Sequence, residues 1–404
     1  MSIYQIPSIN NNLDINNIKL KFSESQPNNI ICKTLSTYLN KVKAKIGQYS
    51  IEWDQFKRIT NNYEYIHTPA PNSKNSISKL KPLSRAFYKL IEICNIFNLL
   101  DVHSSHFTSF HLADGPGGFI EAVSHLRNNE NDIYHAISLI DDENDNVPGW
   151  KKSSLFLRKN KNVVIEKGVE GKGNLYNPNN FKHFTRIFKN KLDFITADGG
   201  FDFSVDFNNQ ETMALRLLFT EVIYALMLQK QGGHFVIKMF DTFIKSSVDI
   251  LYLLSCFYKK IFIFKPNTSR SANSEKYIVC KNFKYQNTDY LFNKLHTILK
   301  VLDHETIQKS FIYSIINIDY PYKFKQTIEE VSTILASQQI DNILTTIRFI
   351  ENKERRGEKI QQIKDNNIQK CIQWCIKNKI PHYKISQSTN IFLTNRKISS
   401  SINH

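Results

Sequence analysis

Phe107-Thr-Ser-Phe-His-Leu-Ala-Asp-Gly-Pro-Gly-Gly-Phe119 is the stretch from which the fold can be read. Phe107 to Ala113 has the apolar run of a buried strand. Asp114-Gly115-Pro116-Gly117-Gly118 is a tight turn, and a helix opens near Phe119. Glycines in such a turn let backbone approach a ligand closely, and the amides of a helix N-terminus favour a carboxylate or phosphate. In a doubly wound sheet, ligands bind beyond the carboxyl ends of the strands. The spacing is not the GxGxxG of a dinucleotide site. An ordinary strand-to-helix turn would look the same, so its meaning depends on what surrounds it.

From Pro82 to Lys284, strand-like and helix-like segments alternate. Ile133–Ile140, Val163–Glu166, Leu192–Ala197, His234–Met239 and Lys260–Phe264 read as strands, and Glu211–Gln229 and Ser246–Cys256 as helices. Such alternation predicts an α/β domain with a largely parallel sheet and helices on both faces. Parallel neighbours need a helical crossover, whereas Pro266 to Ser274 is a polar loop. Glu275–Cys280 should therefore return as one antiparallel strand. Around this block the chain divides into a polar Asn/Ser-rich arm (1–30), a helical N-terminal extension (31–81), a helical C-terminal region (285–380) and a polar tail (381–404). The block itself spans 82–284.

Hydrophobic residues make up 41% of the 404, enough to bury a sizeable core. Lys and Arg outnumber Asp and Glu by 53 to 37, a net charge of +16 that suits a polyanionic partner, although many basic proteins bind none. Cys32, Cys94, Cys256, Cys280, Cys371 and Cys375 form no CxxC pair and complete no zinc set. Reduced thiols and no metal are expected. Neither an apolar signal core nor a membrane-length apolar run is present, which predicts a soluble intracellular chain with no membrane partner. The basic stretch from Lys370 to Lys379 reads first as a solvated helix face.

Asp198 ends one predicted strand and Lys238 lies near the end of the next, so both fall on the functional edge of the sheet; Glu275 opens the returning strand beside them. An apolar strand has little reason to end in Lys unless the amine is paired or used, though a strand-end lysine can also snorkel to solvent. The helix starting near Ser84 turns Phe87, Leu90, Ile91, Cys94 and Asn98 inward. Lys89, about 200° from Phe87, shares the opposite face with Arg85. That face is either a solvated basic surface or one presented to the sheet edge, and periodicity does not choose.

Leu83-Ser-Arg-Ala-Phe-Tyr-Lys-Leu-Ile-Glu-Ile93 resembles the opening of FtsJ/RrmJ-like ribose methyltransferases, and His111 to Phe119 resembles their cofactor loop. Three further stretches are similar to the cap-specific mRNA branch: Ala197-Asp-Gly-Gly-Phe201, Gly232-Gly-His-Phe-Val-Ile-Lys-Met-Phe-Asp241 and Phe264-Lys-Pro-Asn-Thr-Ser-Arg-Ser-Ala-Asn-Ser-Glu275. The resemblance implies a Rossmann-like fold, S-adenosylmethionine as cofactor and a Lys-Asp-Lys-Glu tetrad of Lys89, Asp198, Lys238 and Glu275. Methyl transfer to a ribose hydroxyl is an in-line displacement that depends on alignment and on removal of the hydroxyl proton. Lys238 would be the base, its neutral form favoured by burial and by Lys89. Asp198 would orient Lys238 near the sulfonium, and Glu275 would position either lysine.

The same resemblance assigns Ala113, Asp114, Gly115, Pro116, Gly117, Gly118, Phe119 and Asp198 to the cofactor. Asp141, with Asp142, would hold the ribose diol. Asn174 stands where the family has Asp, and its amide oxygen can still accept from the adenine amino group. For RNA, Ser269, Arg270 and Asn273 would hold the acceptor nucleotide, and Ser84, Arg85, Lys57 and Arg58 phosphates or cap. Tyr49, Trp53 and Tyr63 are cap platforms or ordinary core rings. The implied substrate is the ribose 2′-OH of the first transcribed nucleotide of capped mRNA, in the company of other capping or transcription proteins. Such an enzyme is cytoplasmic if viral and nuclear if cellular. An rRNA or tRNA ribose methyltransferase, or a non-catalytic RNA-binding subunit with the same fold, are the alternatives.

Overall fold

Along the chain the elements are β1 (Ile3–Ile6), β2 (Ile18–Ser23), α1 (Lys33–Lys45), α2 (Ser50–Thr60), α3 (Ala86–Phe97), β3 (Thr108–Leu112), α4 (Gly118–Arg127), β4 (Ile133–Ile137), α5 (Ser154–Lys159), β5 (Val163–Glu166), α6 (Pro178–Phe188) and β6 (Leu192–Ala197). They continue as α7 (Gln210–Leu228), β7 (Gln229–Met239), α8 (Lys245–Phe257), β8 (Tyr258–Phe264), β9 (Lys276–Phe283), α9 (Phe292–Asp303), β10 (Phe311–Ile316), α10 (Tyr322–Glu351) and α11 (Gly357–Lys377). The computed structural model describes residues 3–9, 13–100, 105–141, 143–144, 147, 149–200, 209–304, 307, 310–355 and 357–383. Asp142, Phe201 and the tail from 384 onward lie outside the described residues.

Eight strands form one sheet in the order β1-β8-β9-β7-β6-β3-β4-β5. From β7 to β5 all neighbours run parallel, and β9 returns antiparallel between β7 and β8 as expected. A second antiparallel strand comes from the arm. β1 pairs with the outer side of β8, matching Ile3 to Phe264 and Ile6 to Ile261, and β2 pairs with β10. Residues 1–30 are thus not simply a lead-in. Ile6 and Ile18 of this segment are buried, and β1 covers backbone that β8 would otherwise leave as an open edge.

Period-two alternation divides the core between the two faces of the sheet. On β7, Phe235, Ile237 and Met239 join a cluster with α6, α7, α8 and α9. Val236, with Tyr277 and Val279 of β9, joins α3, α4 and α11. Lys238, two residues beyond Val236, shares that second face. A third cluster packs Leu39, Trp53, Phe56 and Ile59 of α1 and α2 against Ile340, Ile343 and Ile347 of α10. The N- and C-terminal helical regions therefore share a core of their own. Trp53 is buried in it, Tyr49 donates its hydroxyl to Glu351 at 2.6 Å, and Tyr63 packs on the α3 side. Among the described residues, no helix is long and apolar enough to cross a membrane.

On α11, Ile368, Cys371, Ile372, Trp374 and Cys375 are buried, so its basic residues ride on a helix docked by its other side. Trp374 donates its indole N–H to Glu92 of α3 at 3.1 Å. Trp374→Phe, which leaves that acceptor short of a donor, is expected to cost about 1–3 kcal/mol, and Trp374→Ala about 3–5 kcal/mol; denaturant titration reads both.

Candidate active site

Lys238 lies one residue from the end of β7, directly opposite Tyr277 in the β7–β9 ladder, and Asp198 follows the last residue of β6. The Lys238 ammonium donates to the Asp198 backbone carbonyl at 2.8 Å and pairs with its carboxylate at 3.3 Å. The Tyr277 hydroxyl donates to the same carboxylate at 3.0 Å. Lys89 comes from α3 and pairs with Glu275 at 2.8 Å, its ammonium 5.9 Å from the centre of the Tyr277 ring. The four residues named from the sequence are therefore brought together as two ion pairs bridged by Tyr277. The solvated-face alternative for Lys89 fails: Ala86 to Cys94 are all buried, and Lys89 is 6% exposed.

The loop from Lys265 to Glu275 is clasped from every side. Arg85, Lys89 and Glu92 lie four and three residues apart, a helical spacing that puts them on one face. Arg85 donates to the Thr268 carbonyl at 3.0 Å. Glu92 accepts from the amides of Asn267 and Thr268 and from the Thr268 hydroxyl. Ser269 donates to Glu275 at 2.7 Å. Arg270 forms a two-pronged pair with the buried Glu64 at 2.6 and 3.1 Å. Lys265 closes the loop on itself, donating to the backbone and side-chain oxygens of Asn273 and to the Glu275 carbonyl. Gln339 of α10 donates to the Ala272 carbonyl.

Charge states follow from this packing. Burial alone would push Lys238 down, but Asp198, Glu275 and Glu221 outweigh it and hold it as an ammonium above its ordinary value. For Lys89 burial wins, and its value falls despite Glu275 and Asp198. The expectation that burial and Lys89 favour the neutral form of Lys238 is therefore corrected: the carboxylates around it outweigh them. Burial opposes ionisation of Glu275 too, yet Lys89 and Lys238 hold it well below the usual carboxylate range. Burial brings Lys265 down to about 7.

The cofactor candidates line the ends of β3, β4 and β5. Asp114 caps α4, accepting from the amides of Phe119 at 2.9 Å and Ile120 at 2.8 Å. Two of the amides expected to meet a ligand are thus held by the protein, and burial raises Asp114 to about 8 in spite of them. Gly117, with φ of 108°, occupies backbone that favours glycine. A Cβ on Gly115 would lie 2.7 Å from the Ser138 hydroxyl and 2.9 Å from the Gly149 carbonyl; one on Gly118 would meet Ser84. The turn from Ala113 to Gly118 is therefore packed too closely against Ser138, Gly149 and Ser84 for a side chain at Gly115 or Gly118, with Phe119 buried behind it. Asp141 accepts the Glu143 amide at 3.1 Å. The Asn174 amide oxygen accepts the Tyr176 N–H at 2.9 Å, which already uses one lone pair of the atom meant for adenine.

Of the RNA candidates, Ser269, Arg270 and Asn273 hold the loop together through the bonds above. Ser84 and Arg85 line a cavity of about 300 Å³ with His67 and Tyr88. Lys57 pairs with Asp54 and borders a second cavity, of about 620 Å³, with Trp53, Arg270, Asn273 and Gln339. Arg58, one residue on, is exposed and does not line it. The sequence reading missed Tyr277, although it lies two residues from Glu275 and period two puts both on one face. It also missed Glu64, Glu92 and Glu221, whose roles come from distant contacts.

Arg270 and Arg85 hold the Glu64 carboxyl at about 2 against burial, where its ordinary value is 4.5. A depressed carboxyl stabilises the fold above its ordinary value and stops doing so as pH falls through the folded one. Between about pH 4.5 and about 2 the parent should lose about 3 kcal/mol that Glu64→Gln does not lose, as chemical denaturation at stepped pH will read.

Comparison with known proteins matches the same region. A profile of FtsJ-like methyltransferases matches residues 82–283. A Danio rerio protein named cap-specific mRNA (nucleoside-2'-O-)-methyltransferase 2 is 27% identical over 380 residues, covering 85% of this chain and 48% of its own. A Mus musculus protein named cap-specific mRNA (nucleoside-2'-O-)-methyltransferase 1 is 41% identical over 136 residues, covering 32% of this chain and 16% of its own. The chain thus spans about half the length of the first relative and less of the second. With the family profile covering half of its residues, the chain belongs to the FtsJ-like methyltransferase family.

Proposed function

We propose that this chain methylates the ribose 2′-OH of the first transcribed nucleotide of capped mRNA, using S-adenosylmethionine. The observation that carries the reading is the paired set Lys89–Glu275 and Lys238–Asp198 at the carboxyl ends of β6 and β7, beside the glycine turn that follows β3. A purely RNA-binding role has no need of four buried, mutually compensating charges there. Both relatives' names speak of capped mRNA and the 2′-O position, which favours this substrate over ribosomal or transfer RNA.

The cofactor supplies a methyl group on a positively charged sulfonium. The turn from Ala113 to Phe119 would hold its amino-acid and ribose end, with Asp141 and Asn174 toward the nucleoside. Asp198, its carboxylate fixed by Tyr277, would face the positive charge. A cation brought beside Asp198 competes with Lys238 for that carboxylate and lowers the cost of deprotonating it. Lys238 can then take the 2′-OH proton, while Lys89, fixed by Glu275, steadies the acceptor oxygen. The clasped loop keeps Glu275 from moving, and much of the acceleration of an in-line displacement comes from such fixed geometry. The two cavities beside the loop are the places for the cap and the first phosphates.

Labelled cofactor offered with capped RNA, uncapped RNA and ribosomes tests the reading, with nuclease digestion to show which nucleotide carries the methyl group. Methylation confined to the first nucleotide of capped RNA is expected; label elsewhere in the RNA, or in ribosomes, overturns the substrate. Lys238→Ala and Lys89→Met should each lose turnover by about a hundredfold or more while still binding the cofactor. Normal turnover in a folded Lys238→Ala protein would remove Lys238 from the chemistry.

A further inference from the structure

Glu221, on α7, has so far appeared only as one of the carboxylates around Lys238. It is 0% exposed, and apart from a close approach of the Gly199 amide neither carboxylate oxygen meets a hydrogen-bond partner. An isolated buried carboxyl is costly, so its position needs a reason. It reaches the catalytic rim from the face of the sheet opposite Lys89: α7 packs in the core cluster of one face and α3 in that of the other. Between Glu221 and the tetrad lies the turn that follows Asp198. A Cβ on Gly199 would stand 2.3 Å from Glu221 Oε1, and one on Gly200 would stand 2.9 Å from Lys238 Nζ. The two glycines are thus a thin layer of bare backbone, with a carboxyl against one and the Lys238 ammonium against the other. That same backbone carries the Asp198 carbonyl to which Lys238 donates.

We propose that Glu221 is a positioning residue for Lys238: through the Gly199–Gly200 turn, from the α7 side, it sets how firmly Lys238 is held as an ammonium against Asp198. The inference rests on Lys238 being the proton acceptor. The charged groups facing Glu221 are Lys238 from β7 and Asp198 after β6, with Tyr176, from the segment before α6, also feeling its charge. Asp198 is faced in turn by Tyr277 from β9, and Lys238 by Glu275.

The coupling has a definite sign. Burial first, and Asp198 after it, raise Glu221 to about 8, with Lys238 and the Gly199 amide opposing the rise. An ionised Glu221 in turn raises Lys238. As pH climbs, Glu221 therefore ionises before Lys238 and delays the loss of the lysine's proton. Gln at 221 keeps the shape of the protonated acid and cannot ionise, so the delay disappears.

The test compares kcat–pH profiles from about pH 6 to about pH 10 for the full chain on capped RNA, in the parent, Glu221→Gln, Glu221→Asp and Lys238→Ala. Thermal midpoints and S-adenosylhomocysteine affinity are measured alongside. The rising limb of Glu221→Gln should move to lower pH by about one unit, with cofactor-product binding unchanged, while Glu221→Asp, which can still ionise, stays nearer the parent. Superimposable parent and Glu221→Gln profiles, both abolished by Lys238→Ala, overturn the inference and leave the function intact. An equal loss at every pH in both Glu221 variants marks a structural part only and also overturns it. Full activity in Lys238→Ala removes the base assignment and this inference with it.

Discussion

Four charges buried within a few ångström of one another constrain this structure more than anything else. Lys89 with Glu275 and Lys238 with Asp198 are each mostly shielded from water. Moving a charge out of water costs several kcal/mol, and only close pairing with well-placed hydrogen bonds offsets it. Losing one partner leaves the other uncompensated. Each of the four must therefore be held by something that does not move, and they come from four places in the chain: a helix, two strand ends and the close of a loop. Tyr277, bonded to Asp198 and lying under Lys89, ties the two pairs into one set.

Much of what lies outside residues 82–284 serves that rigidity. The loop from Lys265 to Glu275 carries one of the four charges, and polar loops of this kind are ordinarily mobile. Here Glu64 grips it through Arg270, α10 through Ala272 and α3 through Asn267 and Thr268. Glu92, which makes the last contact, is itself held by Trp374 of α11. On the other flank, Lys43 of α1 pairs at 2.9 Å with Asp241, three residues past Lys238. The N- and C-terminal helices, joined through their own apolar cluster, form a brace around the loop. The same contacts engage the polar atoms of Ser269, Arg270 and Asn273, so these residues fix the shape of the loop.

The sheet adds a geometric condition. Parallel strands buried on both faces end in a row, and the residues just past those ends meet with no regard for their distance in the chain. β7 brings Lys238 to that row with its side chain on the α3 face, while Glu221 approaches the same lysine from the α7 face. The glycines at 199 and 200 are what allow backbone between two such groups, in the way that Gly117 allows the turn at the start of α4.

Local information was enough for the parallel strands of the sheet, and the resemblance of short motifs for the four residues that the fold brings together as two ion pairs. The strands Val163–Glu166 and Leu192–Ala197 have the limits that their apolar spacing predicts, because a buried strand shows its period in its own residues. The glycine turn after β3 and the ordered loop motif are likewise local. Three things were not legible. Residues 3–6 form an edge strand because β8 has a free side, which nothing in a polar arm reveals. Lys89 is buried rather than solvated because α11 and the loop cover the face that helical periodicity leaves polar. Lys238 is held as an ammonium because carboxylates from β6, α7 and the loop surround it. Which residues can do chemistry is written in their types and spacing; which charge each carries depends on burial and on neighbours distant in sequence, and folding alone brings those together.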